Sequence, residues 1–243
     1  MSCGGRVSAA IAFAAAFFVC CLYLSPSPSW AADERVLLFS GIDVWYDGAF
    51  THAGALWSPY GLEREGFTLK VMAAGGFYRY RAGALGDVTV VGAEESGQVM
   101  PGWRFKRDQL EITVYGGLDF QHDVTSPFDP ANRLNGWSIG ARGAVDLWYE
   151  PTGATMLAFN AFVSSINTDY SVRAAYGWRL FNSFYLGPEA QTFDCVGYRQ
   201  LRVGLHLTAL KIGPIEWSAA AGWSEDSDHR SSPYLRLGIL ARF

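Results

Sequence analysis

Cysteine is scarce in this chain. Three of its four cysteines, Cys3, Cys20 and Cys21, lie in the first 24 residues, which leaves Cys195 alone in the remainder. A single thiol builds no internal disulfide framework, so stability has to come from another source. Lysine is also rare and no basic run occurs. With a net charge of −4, nothing here is suited to tracking a phosphate backbone, and nucleic acid is not expected as a partner. Paired His or Cys spacing is missing, and Asp123 with Asp129 falls short of the ligand count of a calcium loop, so neither a metal nor another cofactor is expected. Past the first 32 residues no apolar run reaches the ~20 residues of a transmembrane helix. No Pro/Ser linker, short-period repeat or low-complexity tract divides residues 33–243 either, which points to one domain there.

The first 32 residues read differently. Arg6 precedes an unbroken apolar run from Ala9 to Leu24, followed by Ser25-Pro-Ser-Pro-Ser-Trp-Ala-Ala32. A positive start, a short apolar stretch and small residues at its end define a secretory signal peptide, cleaved near Ala31 or Ala32. The run is too short to span a bilayer, and the Ser/Pro stretch cannot continue a helix. Val19 and Cys20, which stand before the two adjacent cysteines, do not provide the small residue a lipoprotein needs. The expected division is therefore a leader at 1–32 and one exported domain at 33–243.

That domain belongs to a chain half hydrophobic and 15% aromatic, with many glycines, a composition that suits membrane-exposed strands. The test is period two, because alternate residues of a transmembrane strand face lipid and lumen. From Phe67 to Phe77 one face carries Phe67, Leu69, Val71 and Phe77, and the other Thr68, Lys70 and Met72. Leu110 to Gln121 sets Leu110, Ile112, Val114 and Leu118 against Glu111, Thr113, Tyr115 and Asp119. Between Ser138 and Glu150 the charges Arg142, Asp146 and Glu150 share a side, as do Arg173 and Arg179 further on. Leu201, Val203, Leu205 and Leu207 oppose Arg202, His206 and Thr208; Ile215, Trp217, Ala219 and Ala221 oppose Glu216 and Ser218. The last segment places Leu235, Leu237, Ile239, Ala241 and Phe243 opposite Tyr234, Arg236, Gly238 and Arg242.

These patterns predict an all-β fold, a single antiparallel transmembrane β-barrel of about 12 strands (10–14). The candidate strands are 36–46, 50–58, 67–81, 97–106, 110–121, 137–149, 155–166, 169–181, 184–193, 198–212, 214–224 and 233–243. The fourth is chosen over Val88 to Gly92 because it gathers the long connections, 82–96, 122–136 and 225–232, at one end, opposite tight turns at 107–109, 181–183 and 212–214. With both termini periplasmic, the long connections are extracellular. Outer-membrane lipid is thus an expected partner.

Function must be sought on the inner face. Its expected charges, Lys70, Arg79, Glu111, Asp119, Arg142, Asp146, Glu150, Arg173, Arg179, Glu189, Arg202, Glu216 and Arg236, together with His206, are nearly balanced. They either knit the lumen shut or border a hydrated pore. Inward aromatics, Trp45, Tyr78, Tyr80, Tyr115, Trp148, Tyr185 and Tyr234, present flat faces on which sugar C–H surfaces stack; packing is the plainer use of such rings. His206, with Ser218 or Glu216, would be the centre of any acyl-transfer chemistry, but no nucleophile elbow supports one, and no enzymatic activity is expected. Asp129-Pro130 is read as a turn, and Glu225-Asp226-Ser227-Asp228 as a solvated loop.

Six segments carry a family likeness: Gly54-Ala-Leu-Trp-Ser-Pro-Tyr-Gly61, Gly75-Gly-Phe-Tyr-Arg-Tyr80, Leu147-Trp-Tyr-Glu-Pro151, Tyr185-Leu-Gly-Pro-Glu189, Tyr198-Arg-Gln-Leu-Arg-Val-Gly204 and Glu216-Trp-Ser-Ala-Ala-Ala-Gly-Trp223. Together they resemble the cellulose biosynthesis protein BcsS family. The resemblance implies a role beside the cellulose synthase complex at the outer membrane, with cellulose or another glucan and synthase components as partners. It assigns no catalytic or ligand residue. The better-known cellulose exporters join a larger barrel to a long helical-repeat scaffold, which this chain lacks, so the likeness points to an accessory and not to the conduit. Two other readings stand beside it: a barrel enzyme acting on lipid A or a glycan, and a plugged structural or adhesive barrel.

Overall fold

In a computed structural model, which describes residues 34–132, 135–195 and 198–243, the alternation becomes a wall with two unlike sides. The leader at 1–32 lies outside the described residues. Twelve strands follow one another: β1 (Val36–Trp45), β2 (Gly48–Trp57), β3 (Gly66–Ala82), β4 (Val88–Arg107), β5 (Leu110–Ser126), β6 (Gly136–Thr152), β7 (Thr155–Ser164), β8 (Tyr170–Leu180), β9 (Phe184–Cys195), β10 (Tyr198–Ile212), β11 (Ile215–Asp226) and β12 (Ser231–Arg242). Each pairs antiparallel with its sequence neighbours, and β12 closes on β1 from Leu37↔Arg242 to Trp45↔Tyr234. Phe243 extends that seam, donating to the Val36 carbonyl at 2.8 Å and accepting from the Val36 N–H at 2.9 Å. Closure leaves no unpaired edge, so the backbone is satisfied without water. No helix among the described residues is long and apolar enough to cross a membrane.

The outward side chains form an apolar band with Ile139, Val163, Val203 and Leu205 all exposed. Aromatic rings flank it at both ends. Near the chain termini stand Trp103, Phe105, Trp178 and Phe181; at the opposite end, the far mouth, stand Trp137, stacked on His122 at 4.5 Å, and Trp223. An apolar band between two aromatic girdles is the surface a bilayer requires.

Four differences from the expected pattern matter. The connection expected at 82–96 is mostly strand: β4 begins at Val88 and pairs with β3 up to Ala82↔Val88. The Glu-Glu-Ser stretch at 94–96 reads as loop, but Glu95 simply faces out while Glu94 faces in. The expected connections 122–136 and 225–232 shorten for the same reason, to 127–135 and 227–230. Because β3 to β6 run to 17–20 residues, where ~10 cross a bilayer, this side of the wall stands tall at the far mouth. Finally, β10 contains a bulge: its pairing to β11 shifts between Leu207 and Leu210, with Ala209 at φ 66°. Thr208 and Ala209 together oppose Ser218, so alternation changes phase below them.

Candidate functional site

Inside the barrel the expected charges mostly find one another. Glu189, 3% exposed, is the hub: Arg173 donates to it at 2.7 Å, Arg236 at 2.6 Å, and the Tyr234 hydroxyl at 3.0 Å. Arg173 also reaches Asn160, whose amide donates to Asp146 at 2.9 Å, and Asp146 is paired with Lys70 at 3.0 Å. One continuous belt of bonds therefore runs from β3 through β6, β7, β8 and β9 to β12. Beside it Arg142 binds Asp119 at 2.8 Å, and Ser164 donates to the same carboxylate. Towards the termini Arg179 pairs with Glu150 at 3.0 Å, and Arg104 with Glu111 at 3.1 Å. Such pairs form because a charge inside a wall of low dielectric is tolerated only with a partner.

Arg202 is the most enclosed cation among the described residues, 1% exposed. Its guanidinium grips Asp43 at 2.6 Å and lies 5.1 Å from the ring centroids of Trp45, Phe193 and Tyr234. Ring faces thus stand against a guanidinium whose Nη2 has no hydrogen bond among the described residues.

Arg79 is corrected. It is exposed and donates to the Tyr46 carbonyl at 3.0 Å, away from the lumen charges. Period two explains this, since Tyr78 and Tyr80 face inward and the residue between them must face out. Glu216 stands opposite Lys211 near the terminal mouth, two inward positions from Ala220, the cross-strand partner of His206. His206 itself is occupied: Nδ1 shares a bond with Thr208 at 2.9 Å, and Nε2 meets the Tyr176 carbonyl at 3.2 Å. Near that carbonyl the β8–β9 pairing skips from Ala175↔Glu189 to Trp178↔Leu186, and Pro188 has no N–H to offer. The imidazole fills a gap in a ladder.

The seven inward aromatics divide. Tyr115, Tyr185 and Tyr234 are buried. Tyr115 lies against Gly102 and beneath Lys70, 5.0 Å from its centroid, and Tyr78 covers Gly92, where any side chain would collide with the ring. Tyr78 and Tyr80 are stacked, with hydroxyls donating to Asp123 at 3.2 Å and Asp129 at 2.8 Å. Trp148 donates to Glu150 at 3.0 Å and meets Tyr185 edge-on. Trp45 differs from these, because it lines a cavity at the far mouth together with Tyr46, Asp47, Tyr198, Asp226 and Arg230.

Several members of these networks are not singled out by the strand patterns. Arg104 sits between outward Trp103 and Phe105, so parity alone marks it as inward. Asp123 and Asp226 are expected in loops, yet both are buried at strand ends. Asp226 accepts from Arg230 at 3.1 Å and from the amides of Asp228 and Arg230, both at 2.9 Å. Asp129 does form the expected turn, accepting from the Ala131 amide at 3.0 Å.

A closed antiparallel barrel, apolar and girdled outside and charged within, defines an outer-membrane β-barrel protein. Among solved structures the fold matches the KdgM porin, with a TM-score of 0.50 at 11% identity over 85% of this chain and 99% of that one. Others are an outer-membrane channel of Pseudomonas putida F1 (TM-score 0.48, 11% identity, 90% and 100%) and the translocator domain of the autotransporter NalP from Neisseria meningitidis (0.42, 14%, 98% and 98%). At such identities the likeness is one of fold alone. No curated protein matches the chain. Its family, however, is defined: the sequence model of the cellulose biosynthesis protein BcsS matches residues 37–243, and the chain belongs to that family.

Proposed function

We propose that the chain is a non-enzymatic outer-membrane barrel that supports secretion or surface assembly of cellulose, exported by the leader at 1–32. The observation that carries this reading is the family match, which runs from the first strand to the last residue and so takes in the entire barrel. In the proposed orientation the termini face the periplasm and the far mouth opens to the outside. The lumen fits a supporting role: most of its acids and bases are tied to one another, and His206 bonds the Tyr176 carbonyl at the gap in the β8–β9 ladder. Of the inward aromatics, Trp45, Tyr78, Tyr80 and Trp148 keep partial exposure and are the ones proposed to meet a glucan; Tyr115, Tyr185 and Tyr234 serve packing and the charge belt.

Deleting the gene tests this. Surface cellulose, measured by dye binding and by acid-resistant glucose, is expected to fall while glucan synthesis in isolated membranes stays normal. Unchanged surface cellulose would overturn the reading.

A further inference from the structure

The far mouth carries a feature that lumen packing does not explain. Between the ends of β1, β10, β11 and β12 lies a cavity of about 290 Å³, at the lower bound of small-molecule sites (~300–1,000 Å³). Its walls are Trp45, Tyr46, Asp47, Tyr198, Asp226 and Arg230. Tyr46 is 69% exposed at the tip of the β1–β2 hairpin, so its ring face is uncovered by the rest of the chain. Trp45 carries an indole N–H that is buried with no acceptor among the described residues.

The rim is held in place by one cation. Arg230 uses Nε on Asp226 at 3.1 Å, Nη1 on Asp47 at 3.2 Å and Nη2 on Asp228 at 3.0 Å, which fastens the β11–β12 connection to the β1–β2 turn. A further chain of bonds descends from the mouth: Gln200 donates to the Tyr198 hydroxyl at 3.1 Å, and Arg202 donates to Gln200 at 2.6 Å. The pocket is thus preorganised, and a ligand would not have to order it.

Its chemistry selects a class of ligand. All three guanidinium nitrogens of Arg230 are engaged, so no free cation waits for a ligand carboxylate or phosphate. Both wall carboxylates repel anions; Asp226 already accepts from the Asp228 and Arg230 amides, from Arg230 Nε and from the Tyr198 hydroxyl, whereas Asp47, held by Arg230 through one oxygen, has lone pairs left for a hydroxyl donor. An open aromatic face beside a hydroxyl acceptor suits a neutral sugar whose ring hydroxyls are equatorial and whose ring faces are apolar, and a β-1,4-linked glucan presents such faces along a flat ribbon where an α-1,4-linked chain curls. Resting on the function proposed above, we propose that this pocket is a binding subsite for a neutral β-glucan chain, held at the outer mouth against the exposed ring of Tyr46, since the faces of Trp45 are taken by Phe50 and Arg202.

The full chain, refolded in detergent micelles, would be titrated calorimetrically with cellohexaose, maltohexaose and hexagalacturonate. Saturable binding of cellohexaose is expected, with no binding of the galacturonate and much weaker binding of maltohexaose. Tyr46→Ala should weaken cellohexaose binding about tenfold, the effect of losing one stacked ring. Tyr46 is a turn residue with an exposed side chain, so this variant should fold, as shown by unchanged heat-modifiable gel mobility. Tyr60→Ala, an exposed tyrosine at the other end of the barrel, should bind like the parent. Absent binding, equal binding of all three sugars, or an unaffected Tyr46→Ala variant overturns the subsite. If cellohexaose fails to bind while the deletion strain still loses surface cellulose, the subsite falls and the proposed function stands. Unchanged cellulose in that strain overturns the function whatever the titration shows.

Discussion

Removing the Glu189 carboxylate should destabilise the barrel more than any other single change in the lumen. The side chain is 3% exposed and is the shared acceptor for Arg173 at 2.7 Å, Arg236 at 2.6 Å and Tyr234 at 3.0 Å. Glu189→Ala leaves two enclosed guanidiniums facing one another with no counter-charge. Breaking a buried pair by removing one partner costs about 3–5 kcal/mol, and Glu189→Gln, which keeps one accepting oxygen, should cost about 2 kcal/mol. Replacing the set together, with Glu189→Leu, Arg173→Met and Arg236→Met, should recover most of the loss, because the cost arises from the orphaned charges and not from a missing attraction. Reversible urea unfolding in phospholipid vesicles, followed by tryptophan fluorescence, gives the midpoints and slopes needed. A Glu189→Ala variant within about 1 kcal/mol of the parent would refute this, and would mean that water screens the belt throughout.

Other predictions are independent of the belt. Leu205→Arg, in the middle of the lipid-facing band and 60% exposed, should cost about 2–4 kcal/mol in the same vesicles, while Glu225→Arg beyond the band should cost little. His206→Ala orphans the Tyr176 carbonyl and should cost about 1–3 kcal/mol by urea midpoint, with lipid A profiles unchanged by mass spectrometry. Glu63, in the 58–65 connection, accepts from Lys106 and lies 3.3 Å from Arg242, and the Lys106 hydrogen bond chiefly holds its carboxyl below the ordinary value of 4.5. A lowered folded-state value stabilises above pH 4.5 and is lost as pH falls through it. Protease cleavage in 58–65 should therefore rise on acidification, and Glu63→Gln should remove that rise.

The share of the fold that is legible in the sequence follows from what alternation encodes. Each strand writes its two faces in order, so the lipid-facing rows, the inward acids and bases and the closing strand at Phe243 are all visible in the order of residues alone. Parity even holds the answer for Arg79 and Arg104, each flanked by residues of plainly opposite facing. Alternation does not say where a strand leaves the bilayer, which is why Glu94, Asp123 and Asp226 look like loop residues. It also fails where a strand slips: the bulge at Thr208 and Ala209 shows only as a phase change against β11. Contacts between strands far apart in sequence are further out of reach. The pocket of Trp45, Tyr198 and Arg230 exists because β12 closes on β1, and no local pattern sets that register.

The most direct test of the central claim is surface cellulose in the deletion strain resupplied with a chain carrying His206→Phe, Ser218→Ala and Glu216→Gln, checked for folding by heat-modifiable mobility. A supporting barrel without catalysis should restore cellulose to the level given by the parent chain. A folded triple variant that leaves the surface bare, where the parent chain restores it, would contradict the account.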